Sequence, residues 1–138
     1  MKDFQRLLDA TLPFVEDLLT QFGEFYPLAA AINKNDEIVQ VGVDVGEEHP
    51  PSTKVIAELK AGLKQAALIG DYTCIAIFYD VKVKSQETGQ PTDAIAVFAE
   101  TTKDNTAFNF YYPYSINPDN TLIFAKSFGS TIEKEIFI

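Results

Sequence analysis

A chain of 138 residues with 20 acids against 11 bases, net charge −9, has no cluster of Lys and Arg able to track a phosphate backbone. Nucleic acid and anionic membrane surfaces are therefore excluded as expected partners. Apolar residues make up 46% of the chain, Gly and Pro number 7 each, and no segment is biased or repeated, so one folded domain over 1–138 is expected.

The first residues, MKDFQRLLDATLPF, mix charges with apolar side chains and carry no signal-peptide pattern. No run approaches the roughly 18–20 apolar residues of a membrane-spanning helix. A soluble, cytoplasmic protein is expected. From 4 to 22 the apolar residues fall mostly on one helical stripe that keeps its phase across Pro13, which predicts a single kinked helix ended by Gly23. Two β-prone runs, 28–32 and 38–45, flank the turn residues Asn33, Lys34, Asn35 and Asp36 and predict a hairpin.

A second helix is predicted over 53–69, with Ser52 as its N-cap, Pro51 holding the preceding chain extended, and Gly70 as its stop. Strands follow at 72–84, 92–101, 107–114 and 122–127. In the first of these Ile75, Ile77, Tyr79, Val81 and Val83 share one face, and Cys74, Ala76, Phe78, Asp80, Lys82 and Lys84 the other. The order α-β-β-α-β-β-β-β with short polar links predicts an α+β fold. Two helices are expected on one face of a mostly antiparallel sheet of five or six strands.

Cys74 lies in an apolar run and reads as an inert core thiol. With one His and one Cys the chain cannot supply the familiar zinc or iron ligand sets. Asn33, Asn35 and Glu37 mimic the start of a calcium loop, but Ile38 stands where that loop requires Gly. Neither a GxSxG turn nor a glycine-rich phosphate cradle occurs. No metal and no cofactor are expected. Asp80 and Asp93 could form a carboxylate pair on adjacent strands; a pairing of Lys84 with Pro91 would instead set Lys82 opposite Asp93 and beside Asp80 as a cross-strand ion cluster.

Two features stand out as candidate binding sites. The stretch 35–53 holds Asp36, Glu37, Asp44, Glu47 and Glu48 without a Lys or Arg, and its GEEHPP contains the single histidine, His49, beside acids that favour its protonation. The tyrosines close to Pro27 and Pro113, Tyr26, Tyr111 and Tyr114, sit at strand ends, where an amphipathic ring can face a partner.

The combination GEFYPLAA at 23–30, GEEHPPS at 46–52, IFYDVKV at 77–83 and TDAIAV at 92–97 resembles a family of small bacterial proteins with no established activity. The resemblance implies a bacterial, cytosolic, self-contained domain and no particular reaction. Three readings follow. The first is a non-enzymatic acidic interaction or regulatory module, immunity-type proteins being one version, that meets a protein partner or forms a homodimer. The second is a small-ligand binder with a pocket between helix and sheet. The third, less favoured, is an enzyme centred on His49, Glu47 and Glu48.

Overall fold

The computed structural model describes residues 2–42 and 51–137. Helix α1 (Lys2–Phe22) leads into β1 (Leu28–Asn33) and β2 (Ile38–Val41); α2 (Ser52–Leu68) follows, then β3 (Tyr72–Lys84), β4 (Pro91–Thr101), β5 (Ala107–Ile116), β6 (Leu122–Phe124) and β7 (Phe128–Ile132). The strands form one antiparallel sheet in the order β2-β1-β3-β4-β5, and β6 and β7 lie end to end along the far edge of β5. The fold is α+β. Among the described residues the sheet has seven strands rather than five or six. The added β7 carries Gly129, where a Cβ would come within 2.5 Å of the Phe110 ring.

The helices do not share a face. Phe4, Leu7, Leu8, Val15 and Leu19 of α1 pack on Ala30, Ile32, Cys74, Ala76, Phe78, Ile95 and Val97, whereas Val55, Leu59 and Leu63 of α2 pack on Ala29, Ala31, Ile75, Ile77 and Phe98. The cause lies in the central strands. Ala29 to Ile32, Cys74 to Phe78 and Ala94 to Ala99 are buried without interruption, so both faces of the sheet are apolar and each needs a cover.

α1 runs continuously through Pro13, whose missing N–H falls on an exposed side of the helix. Gly23 and Gly70 end the two helices at φ +74 and +79, a backbone region costly for any side chain. After α2 the Gly70 N–H donates to Ala67 O and the Asp71 N–H to Ala66 O, closing the last turn. Ser52 is the first helical residue rather than the cap. Pro51 occupies the cap position, extended at φ −60 and ψ 142, and its carbonyl accepts the N–H groups of Lys54 and Val55.

In the β1–β2 turn the Asn33 side chain accepts from the N–H groups of Asn35 and Glu37, and Asp36 takes φ +64. Arg6 of α1 binds both Oδ1 and the carbonyl of Asp36, at 2.8 and 3.0 Å, which ties the helix to this hairpin. Within the predicted second strand, Val43, Asp44 and Val45 lie outside the described residues. Cys74 is buried on the α1 face, and burial pushes its thiol up to about 12, so it stays protonated and unreactive.

Candidate functional site

β1 and β3 part company at one end of the sheet. Their pairing ends at Leu28 opposite Phe78, while β3 continues along β4 to Lys84 opposite Pro91. The chain from Gly23 to Pro27, arriving from α1, therefore stands away from Asp80, Val81 and Lys82. The gap is a cleft of about 810 Å³. Leu18, Phe22, Phe25, Tyr26, Pro27 and Leu28 make its apolar walls, Glu24, Asp80, Lys82 and Asp93 bring charge, and Ser52 contributes from the start of α2.

α1 supplies the outer wall through Leu18, which also packs against the core, and Phe22, two members of a second row on the helix. The core uses Phe4, Leu7, Leu8, Thr11, Val15 and Leu19, whereas Phe14, Leu18 and Phe22 recur at i, i+4 and i+8 on the flank. Phe14 and Phe22 are exposed, Phe22 by 68%. Tyr26, 49% exposed, stands beside Phe22 on the cleft wall.

The floor is polar. Lys82 and Asp93 pair across the β3–β4 ladder at 2.8 Å, in the register expected from Lys84 facing Pro91. Asp80 is held differently: the Tyr114 hydroxyl donates to its Oδ1 at 2.8 Å across the intervening strand β4. Burial raises the Asp80 carboxyl above the usual aspartate range, and Asp93 and Glu24 add to the rise, against the lowering effect of the Tyr114 hydrogen bond. Burial, and then donation to Asp80, likewise raises the Tyr114 phenol, so it stays a neutral donor. Among the described residues three carboxylates thus face one lysine, and that lysine is already paired with Asp93. Among the described residues no group of three His, Cys, Asp or Glu is gathered closely enough to hold a metal ion.

The residues singled out in the sequence separate here. Tyr26 lines the cleft, and Tyr114, buried, supports its floor from β5. Tyr111 lies on the opposite face of β5, half-buried and stacked on Phe128 with ring centroids 5.2 Å apart, away from the cleft. Glu47, Glu48 and His49 lie outside the described residues. Sequence reasoning missed Phe22, Leu18, Glu24 and Pro27; the available signal was the second row on α1, visible once Phe14, Leu18 and Phe22 are separated from the core positions.

The α2 face carries another buried carboxylate. Glu100, 1% exposed, accepts the N–H groups of Glu135, Ile136 and Phe137 at 2.7 to 3.1 Å. Ile136 is buried there, and Lys60 of α2 binds Glu135 at 2.7 Å while lying over the Phe98 ring. This carboxylate is fully engaged in pinning the 135–137 backbone and offers nothing to a ligand.

Comparison with protein-family models, with curated proteins and with solved structures finds no match to the chain. Among the described residues no helix is long and apolar enough to cross a membrane.

Proposed function

We propose that the protein is a non-enzymatic interaction module that receives a basic side chain of a protein partner, together with its apolar neighbours, in the cleft at the end of α1. The observation that carries this reading is Asp80. It is a half-buried carboxylate at the floor of an apolar-walled cleft, braced by a neutral tyrosine and joined to no cation among the described residues. A guanidinium or ammonium entering the cleft would relieve the repulsion among Asp80, Asp93 and Glu24, while Phe22 and Tyr26 would pack on the aliphatic stem. The overall charge of −9 acts in the same direction by drawing basic partners toward the surface. A regulatory or immunity-type role is one biological form of such a module.

The cleft volume supports a second reading, a small cationic ligand in place of a protein side chain, because pockets of about 300–1,000 Å³ suit such molecules. Amide chemical-shift titrations with two probes test both: a short peptide alternating Leu and Arg, and agmatine. The expected result is perturbation at Phe22, Tyr26, Asp80 and Asp93 by the peptide, lost in Asp80→Asn and absent when Glu replaces Arg in the probe. A response to agmatine equal to that of the peptide selects the small-ligand reading. No response to either, or an equal response to the acidic peptide, contradicts both.

A further inference from the structure

β3 is paired along both edges only in its first half. It meets β4 without interruption from Cys74 opposite Thr101 to Lys84 opposite Pro91, whereas β1 ends opposite Phe78. Among the described residues no strand covers the other edge of β3 from Tyr79 to Lys84. Two hydrogen bonds fix which backbone groups face that edge. The Thr73 carbonyl accepts from Thr102 N–H, and Ser85 N–H donates to the Gln90 carbonyl, both toward the β4 side. Successive residues of a strand point their backbone polar groups to opposite edges. The odd-numbered residues therefore bond β4, and Asp80, Lys82 and Lys84 direct their N–H and C=O groups to the uncovered edge.

The side chains define what fits there. Asp80 and Lys82 point to the α1 face, and Tyr79, Val81 and Val83 to the other. An added antiparallel strand is best matched by a base opposite Asp80, an acid opposite Lys82 and apolar residues opposite the remaining three. Read backwards, residues 79–83, YDVKV, are that strand. We infer that two copies of the chain associate edge to edge through β3, antiparallel about a two-fold axis at Val81. Asp80 then faces the second copy's Lys82, Val81 faces Val81, and Tyr79 faces Val83.

The register is singled out by charge. An axis at Lys82 would set each Asp80 opposite Lys84 but oppose two lysines at its centre, and one at Asp80 would oppose two aspartates; the Val81 register alone has only opposite charges facing. In the Val81 register Asp80 and Lys82 are also the hydrogen-bonded pairs of the new ladder, because both direct their backbone groups outward. The ladder stops at Val83, since the next pairing would need Phe78, which already faces Leu28. Lysines on an open edge discourage indiscriminate strand addition, so the self-complementary register is favoured over random pairing. The uncovered edge borders the cleft, so a second copy and a basic partner compete for Asp80; the inference stands on the edge that no described strand covers and does not require the cleft to bind a basic partner.

Sedimentation equilibrium of the full chain, from low micromolar to near-millimolar protein, is expected to show a mass rising with concentration from 15.3 kDa toward the dimer. Lys82→Glu, at a side chain 74% exposed, sets acid against Asp80 at both pairs and is expected to weaken association about tenfold. Val81→Cys supplies a readout independent of charge. At a non-hydrogen-bonded pair on the axis it is expected to give a disulfide-linked dimer on mild oxidation, whereas Val83→Cys, facing Tyr79, is not. A monomer at every concentration, or equal cross-linking of the two cysteine variants, overturns the proposal.

Discussion

Glu100 and Asp80 are both carboxylates on the central pair of strands, and the structure treats them in opposite ways. Glu100 on β4 is closed off, with three backbone N–H groups spread over its two oxygens and the 135–137 segment lying over it. Asp80 on β3 is half-buried at a cleft, with one tyrosine donor and two carboxylate neighbours. A buried charge that is fully hydrogen-bonded organises the fold, whereas one left partly satisfied beside an open space is available for binding.

The largest expected effect breaks the closed side of this comparison. Glu100→Ala leaves three backbone N–H groups without their acceptor and a void where a buried side chain stood; urea denaturation should show a loss of about 3 kcal/mol. Glu100→Gln keeps the shape but only one oxygen, and should lose about half as much. If both variants unfold like the parent, the 135–137 backbone is not pinned by Glu100.

Tyr114→Phe acts on the open side. It removes one hydrogen bond to a carboxylate, with an expected cost of about 1 kcal/mol in the same denaturation measurement. It should also raise the Asp80 carboxyl further, because the lost bond was the larger of the two interactions that lowered it, the other coming from the Val81 backbone. Thr11 adds a third case: its Oγ1 is buried with no hydrogen-bond partner among the described residues. Thr11→Val should therefore stabilise the protein by up to about 1 kcal/mol, and a clear loss would show that the hydroxyl has a partner.

The smallest stability effect belongs to Asp80→Asn. The folded Asp80 carboxyl lies above its unfolded value, so its contribution to stability is fully present below the unfolded pKa and lost as pH rises through the folded one. At neutral pH ionisation of Asp80 weakens the fold slightly. The amide variant should show a small rise in melting temperature at pH 7 and a smaller difference from the parent in acid. A drop at pH 7 would mean that the charged form is stabilised after all.

Much of the fold was legible from local chemistry. The phase of the α1 stripe carried it across Pro13, the turn at Asn33 to Asp36 set the first hairpin, and the polar link before Pro91 placed Lys82 opposite Asp93. The placement of the helices was not. Alternation assigns side chains to faces but does not show that both faces of Cys74 to Phe78 need a helix, although both are apolar. Strand β7, FGSTI, has little β character beyond its ends and forms because the edge of β5 offers partners. The cleft depends on where the pairing of β1 with β3 stops, a long-range event that local patterning does not show. The apolar Phe22 therefore looked like core, and Asp80 looked like a member of an ordinary ion-pair cluster. Glu100 carried no local signal, since the groups that satisfy it come from 35 to 37 residues away.

The most direct test of the account is an NMR titration of the Asp80 side-chain carboxyl, with and without the Leu–Arg peptide. The free protein should titrate above the ordinary aspartate range, and saturating peptide should bring Asp80 down as a cation settles against it. An Asp80 that titrates as an ordinary surface aspartate, or one whose titration the peptide leaves unmoved, would contradict the assignment of the cleft as a site for a basic partner.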